Sequence, residues 1–145
     1  MTTVLTQVVA RLLLAPAWMV ALGVLVKGYA DTGDGFSAGV IAALGVLMQY
    51  LAFGTYEAGR MLPARYARQI ALTGLLITLA VAFTPVFQGE PVLTHEPGPA
   101  ERVVHLGSLE LLTAVAFDVG VFLLVLGFCV GSIDLLARSS RREVT

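Results

Sequence analysis

Residues 111–128 read LLTAVAFDVGVFLLVLGF, an apolar run interrupted by a single carboxylate, Asp118. A run of about 18 apolar residues is long enough to cross the hydrocarbon core of a bilayer as a helix. A carboxylate at this depth costs on the order of 2.5–3.5 kcal/mol on insertion scales, so we expect a bundle interior, a protonated acid or a basic partner. The stretch therefore predicts a membrane-spanning helix that carries a buried acid.

The whole chain has the composition of an integral membrane protein. Of its 145 residues, 57% are hydrophobic and only 13% are charged, and the mean hydropathy is +0.86. Soluble domains carry roughly 25% charged residues. The lone cysteine, Cys129, excludes a disulfide within the chain. We therefore expect an all-α integral membrane protein with one domain over residues 1–145.

Four apolar stretches predict four transmembrane helices. Their expected limits are about residues 4–26, 36–53, 70–87 and 109–136. Arg11 lies near the start of the first stretch, and we expect its side chain to extend to one membrane surface. The chain is thus predicted to be a multi-pass protein in contact with membrane lipid.

The distribution of basic residues predicts the orientation. Most of them follow the second span or lie in the C-terminal tail: Arg60, Arg65, Arg68, Arg138, Arg141 and Arg142. The connections after the first and third spans hold one basic residue each, Lys27 and Arg102. By the positive-inside rule both termini are cytoplasmic. This agrees with the span count, because an even number of spans places the two termini on the same side.

The connection between the first two spans is rich in glycine and aspartate. Residues 28–39 read GYADTGDGFSAG and are predicted to lie on the outer side. Asp31 and Asp34 are placed to cap the second helix and to complement its dipole. Gly33 and Gly35 would permit a tight turn. The alternative is an acidic entrance that collects cations.

Small residues at helical spacing predict close helix packing in two spans. The second span carries Gly35, Gly39 and Ala43, and the fourth carries Ala116, Gly120, Gly127 and Gly131. Such strips fit either internal packing or contact with partner subunits.

Asp118 is the strongest candidate for an ion or proton route. Glu110 lies eight residues closer to the outer end, and His105 precedes it. Since histidine titrates near neutral pH, the three could form a line of titratable groups. The alternatives are a structural hydrogen bond from Asp118 to a neighbouring helix or subunit, and ordinary solvation of the other two near the headgroups.

Other chemistries leave no motif in the sequence. His95, Glu96 and His105 lack the spacing of metal ligands. Nucleophile elbows, phosphate-binding loops and dinucleotide fingerprints are absent, as is a basic-aromatic patch for nucleic acid. We therefore expect neither an enzyme nor a cofactor, metal or nucleic-acid site.

Two stretches together resemble a known family. The hairpin with its following helix, GYADTGDGFSAGVIAALGVLMQYLAFG, and the fourth-span stretch LLTAVAFDVGVFLLVLG are similar to the B subunit of Mrp-type (also called Mnh) multisubunit Na⁺/H⁺ antiporters. The resemblance covers about residues 12–131 and includes Phe36 and Asp118. The family's usual histidine and Pro-Gly pair in the turn are replaced by Tyr29 and Thr32-Gly33, and Asp34 stands where many relatives have glycine.

The resemblance implies a non-catalytic membrane subunit of a complex that exchanges cytoplasmic Na⁺ for external H⁺ across a prokaryotic cell membrane. The implied partners are the other antiporter subunits, including two large ones similar to the proton-pumping subunits of complex I. Two alternatives remain open: a small subunit of a complex I-like membrane-bound hydrogenase, and a purely structural scaffold that carries no ion.

Overall fold

The computed structural model describes residues 3–28, 33–87 and 106–142, and within these ranges the regular secondary structure is all helix, joined by turns. Five helices follow one another along the chain: α1 (Val4–Lys27), α2 (Asp34–Ala58), α3 (Leu62–Arg65), α4 (Ala67–Phe87) and α5 (Leu106–Arg142). The prediction of an all-α chain is confirmed.

Within the described residues, three helices are long and apolar enough to cross a membrane. They are α1, α2 and the Thr113–Ser140 part of α5, whereas Ala67–Phe83 of α4 is a shorter apolar segment. Each of the four expected spans falls within one of the four long helices. That α4 also crosses the membrane, and that both termini are cytoplasmic, stay predictions.

The four long helices form an open row in the order α1, α2, α5, α4. The α2 and α5 helices occupy the middle, α1 packs against α2, and α4 packs against α5. Within the described ranges α1 and α4 do not touch, so the row does not close into a bundle. The core lies along α2 and α5, where Val46 and Val130 are fully buried.

The small residues of α2 bring its backbone close to α5. A Cβ atom on Gly35 would collide with the main chain of Asp118, and one on Gly39 would lie 2.9 Å from the Val125 Cβ. Ala43 is buried in the same core. The α2 strip therefore serves packing within the chain.

The small residues of α5 face α4 in the same way. A Cβ on Gly120 would lie 2.6 Å from the Thr78 hydroxyl oxygen, and one on Gly127 would lie 2.6 Å from the Ala67 carbonyl oxygen. The packing is looser at Gly131, where a Cβ would meet the Ala67 Cβ at an ordinary 3.6 Å, and Ala116 is half-buried. Internal packing accounts for the closest contacts of this strip too.

The C-terminal end of α2 is bent. Gly54 has φ 78° and ψ 175°, a conformation that favours glycine and interrupts the helix. Hydrogen bonds to neighbouring helices flank this kink. The Gln7 amide of α1 donates to the Ala52 carbonyl of α2 at 3.4 Å, and the Thr55 hydroxyl of α2 donates to the Ala137 carbonyl of α5 at 3.5 Å. The kink thus lies where α2 meets both α1 and the end of α5.

Candidate functional site

The Asp118 carboxylate is buried at the corner where α1 ends and α2 begins. Its residue is only 3% exposed. Two glycines make room for it, because a Cβ on Gly28 would lie 2.8 Å from Asp118 Oδ2 and one on Gly35 would collide with the Asp118 main chain. Gly28 and Gly35 therefore provide the space into which this acid fits.

A backbone amide satisfies the Asp118 carboxylate. The Gly33 N–H donates to both carboxylate oxygens, at 3.2 Å each. Gly33 is the cap residue of α2 and adopts a φ of 115°, in the left-handed region. Because the first amides of a helix lack partners within the helix and its N-terminus is electropositive, Asp118 caps α2 from the neighbouring helix α5. We call this contact the Asp118 cap.

Asp34 does not occupy the capping position predicted for it. Asp34 is the first residue of α2 itself. The cap residue is Gly33, which has no side chain to make a capping hydrogen bond. The buried Asp34 Oδ2 accepts no hydrogen bond and lies 3.5 Å from the Lys27 ammonium, an ion-pair distance. The capping carboxylate comes instead from α5, a helix distant in sequence, and Asp34 complements the dipole from the first turn.

The other predicted site residues are less closely tied to this corner. Phe36 is 60% exposed and points away from the core. Asp31 and His105 lie outside the described residues, and Glu110 belongs to α5 but its side chain is outside the described part. The line from His105 through Glu110 to Asp118 therefore stays a prediction.

A second polar group joins α2 to α5 at the opposite end of their interface. The Tyr50 hydroxyl donates to Asp134 Oδ1 at 2.8 Å, and Arg138 Nε donates to Asp134 Oδ2 at the same distance. Tyr50 is buried, whereas Arg138 is largely exposed. We call these three residues the Asp134 cluster.

Sequence reasoning missed the Asp134 cluster. One signal was available, since Asp134 and Arg138 are four residues apart and therefore neighbours on a helix surface. Nothing in the sequence connected Tyr50 to them.

A buried hydrogen bond between α1 and α2 was also missed. The Gln49 amide donates to the Ala10 carbonyl at 2.6 Å.

The chemical capacity of these groups is limited. Among the described side chains no group of three His, Cys, Asp or Glu residues could hold a metal ion. Both aspartates of α5, Asp118 and Asp134, already have hydrogen-bond donors from this chain. The arrangement is suited to holding helices in register.

Comparison with known proteins identifies similar chains. The family described as "Domain related to MnhB subunit of Na+/H+ antiporter" matches residues 5–131. The B subunit of the Na(+)/H(+) antiporter of Alkalihalophilus pseudofirmus is 32% identical over 133 residues, which cover 92% of this chain and 88% of that protein. Its counterpart from Bacillus subtilis is 33% identical over 101 residues, or 70% of this chain and 69% of that one.

A further relative is much longer. The probable K(+)/H(+) antiporter A/B subunit of Rhizobium meliloti is 33% identical over 135 residues, which are 93% of this chain but 13% of that protein. In that relative the similar segment is a small part of a larger polypeptide.

Proposed function

Because this chain belongs to the family of domains related to the MnhB subunit of Na⁺/H⁺ antiporters, we propose that it holds together a multisubunit monovalent cation/proton antiporter without carrying out catalysis itself. The family resemblance inferred from the hairpin and the Phe-Asp motif is confirmed. The relatives' names favour an antiporter over a hydrogenase-type complex. The proposed location is the prokaryotic plasma membrane, with the other antiporter subunits as partners.

The proposed topology has four spans and two cytoplasmic termini. The α4 helix has 21 residues, which corresponds to about 30 Å of helix and so to the thickness of the hydrocarbon core. Its start lies beside Arg65 and Arg68, and α5 ends among further arginines. This charge distribution supports a cytoplasmic position for that end of the row.

One observation carries the assembly role: both aspartates of α5 have donors within the chain. Asp118 accepts from the Gly33 amide, and Asp134 accepts from Tyr50 and Arg138. A buried carboxylate that is already hydrogen-bonded has little to gain from a passing ion, whereas it fixes the helices that contribute its donors. The geometry therefore supports a rigid structural subunit.

The competing function is an ion route through Asp118, and one feature favours it. Asp118 and Asp34 flank the same glycine, because a Cβ on Gly28 would lie 2.8 Å from Asp118 Oδ2 and 3.5 Å from the Asp34 Cβ. Two carboxylates on either side of one glycine would attract a cation. Against this, the α2 N-terminus already stabilises the Asp118 charge.

Exchange measurements distinguish the two functions. Everted vesicles would be prepared from cells that express the complete antiporter operon, the operon without this chain, or the operon with Asp118→Asn. The Asn substitution retains an acceptor for the Gly33 amide and removes titration. A pH-sensitive dye would report exchange on addition of Na⁺ or K⁺, and a native gel would report assembly.

For a structural subunit we expect the Asp118→Asn complex to assemble and to exchange cations at a rate close to that of the native complex. Deletion of the chain should abolish both assembly and exchange. Asp34→Asn serves as the matched control, since it neutralises the neighbouring carboxylate and leaves the Asp118 cap intact. An assembled Asp118→Asn complex that no longer exchanges cations would overturn the structural role and establish the ion route.

A further inference from the structure

Arg11 is a charged residue that has no carboxylate partner among the described residues. The ion pairs among the described residues are Lys27–Asp34 and Arg138–Asp134, and neither involves Arg11. Its guanidinium instead lies over the Phe53 ring of α2, 5.0 Å from the ring centroid. Because arginine stays charged and an isolated charge in an apolar helix is costly, this side chain requires an anion or water.

The guanidinium lines a groove between α1 and α2. The groove has a volume of about 210 Å³ and is formed by Gln7, Arg11 and Phe53 together with three apolar side chains, Val4, Val8 and Leu12. The three apolar residues are largely exposed. The groove thus combines one positive charge, which suits the phosphate of a phospholipid, with apolar walls, which suit its acyl chains. We call it the Arg11 groove.

The groove lies at the end of the row where arginines and aromatic rings gather. Phe53 directly precedes the kink at Gly54, and Arg60 and Arg65 lie over the rings of Tyr56 and Tyr66, at 5.8 Å and 5.3 Å. Such a belt is typical of the headgroup layer of a membrane. Since side chains on a helix tilt toward its N-terminus, Arg11 extends from α1 toward this layer.

We propose that the Arg11 groove binds the headgroup phosphate of an anionic phospholipid, with an acyl chain continuing along α1. A guanidinium can donate two parallel hydrogen bonds to a phosphate. The groove is at the edge of the row, because α1 packs mainly on α2 and does not contact α4 in the described ranges. The surplus of exposed arginines at this end, including Arg60, Arg65 and Arg68, favours an anionic headgroup over a zwitterionic one.

Trp18 can serve as a fluorescent reporter for lipid bound at this site. Trp18 is the only tryptophan and follows Arg11 by seven residues, so the two lie on the same face of α1 about 10 Å apart along the helix axis. An acyl chain whose headgroup is held at Arg11 would pass close to Trp18. Brominated acyl chains quench tryptophan fluorescence on contact.

The experiment places the full chain in phosphatidylcholine vesicles that contain equal fractions of either brominated phosphatidylglycerol or brominated phosphatidylcholine. From the attraction of one arginine for an anionic surface we expect phosphatidylglycerol to be enriched about two- to fivefold at Trp18. Arg11→Gln should remove this preference. Arg11→Lys, which keeps the charge but loses the planar fork, should retain part of it. Arg65→Gln, the matched control, removes one arginine of the same surplus but outside the groove, and it should lower the preference at Trp18 much less than Arg11→Gln does.

Several results would overturn the proposal. One is equal quenching by the two lipids in the native chain; another is a preference that persists in an Arg11→Gln variant with native helix content by circular dichroism. A preference abolished by millimolar inorganic phosphate would indicate a site for the free ion. The native chain could also show no lipid preference while the Arg11→Gln complex loses one of its other chains on a native gel. That pair of results would mean that Arg11 binds a carboxylate of a partner subunit. None of the fluorescence readouts depends on cation exchange, so the lipid site and the antiporter role fail separately.

Discussion

The two ends of the α2–α5 interface each hold a carboxylate of α5, and they do so by different means. Asp118 is 3% exposed and accepts from the backbone amide of Gly33. Asp134, with an 18% exposed side chain, accepts from the side chains of Tyr50 and Arg138. The Asp118 cap therefore depends on where two backbones lie, whereas the Asp134 cluster can adjust by rotation of side chains.

The two groups fix a parallel pair of helices near both of its ends. Asp118 and Asp134 are sixteen residues apart on α5, and their partners Gly33 and Tyr50 are seventeen residues apart on α2. This corresponds to about 25 Å of helix. Because lipid gives helices no hydrophobic reason to associate, such polar contacts and close backbone packing determine the register of the pair.

The largest effect is expected from a methyl group at the Asp118 cap. Gly35→Ala places a Cβ against the main chain of Asp118, a backbone that cannot rotate aside. Overpacking of this kind costs typically 1–3 kcal/mol, and we expect the upper part of that range or more here. The measurement is the thermal stability and folded fraction of a fluorescent fusion, by size-exclusion chromatography in mild detergent.

Gly23→Ala is the matched control for this prediction. Gly23 lies within α1, and a Cβ there would have nothing within 4 Å. The same substitution should therefore be tolerated or stabilising, by up to about 1 kcal/mol from helix propensity. Equal behaviour of the two variants would mean that α2 and α5 are not in close contact at Asp118.

The sequence was sufficient to predict the helices, because each long apolar run can satisfy its backbone hydrogen bonds in lipid only as a helix. It also singled out Asp118, because a carboxylate within an apolar span is costly unless it lies in a bundle interior, is protonated or has a basic partner. The structure has this residue buried. Its partner could not be predicted, because the Gly33 amide carries no residue-specific signal and lies 85 residues away. Because long-range partners leave no local signal, the sequence instead predicts a capping role for Asp31 and Asp34, the carboxylates nearest in sequence to the start of α2.

The small-residue strips of α2 and α5 also show that a local sequence pattern does not identify the partner helix. The spacing of Gly35, Gly39, Gly120 and Gly127 predicts close packing, but this spacing is the same whether the facing helix belongs to this chain or to another. The structure places α5 against the first two and α4 against the last two. The order of helices in the row is a long-range property that no local pattern specifies.

An intermediate effect is expected when the Asp118 cap loses its acceptor. Asp118→Ala leaves the Gly33 amide without its partner and removes a charge from the α2 N-terminus. Charge-assisted hydrogen bonds contribute roughly 1.5–3 kcal/mol, and we expect a loss of about 2 kcal/mol. Asp118→Asn, which keeps an acceptor oxygen, should lose about half as much. Thermal unfolding of the same fusion measures both, and an Ala variant as stable as the native chain would contradict the capping role.

The smallest effect is expected at the Asp134 cluster. Tyr50→Phe removes one hydroxyl and keeps the buried ring, so Asp134 loses one donor but retains Arg138. A typical hydrogen bond contributes about 1 kcal/mol net, and rotation of the partly exposed Asp134 toward water should reduce the loss further. Tyr56→Phe is the control, since Tyr56 is 66% exposed and should tolerate the change. If Tyr50→Phe lowered thermal stability more than Asp118→Ala, side chains rather than backbone contact would dominate the α2–α5 interface, and the contrast between its two ends would be reversed.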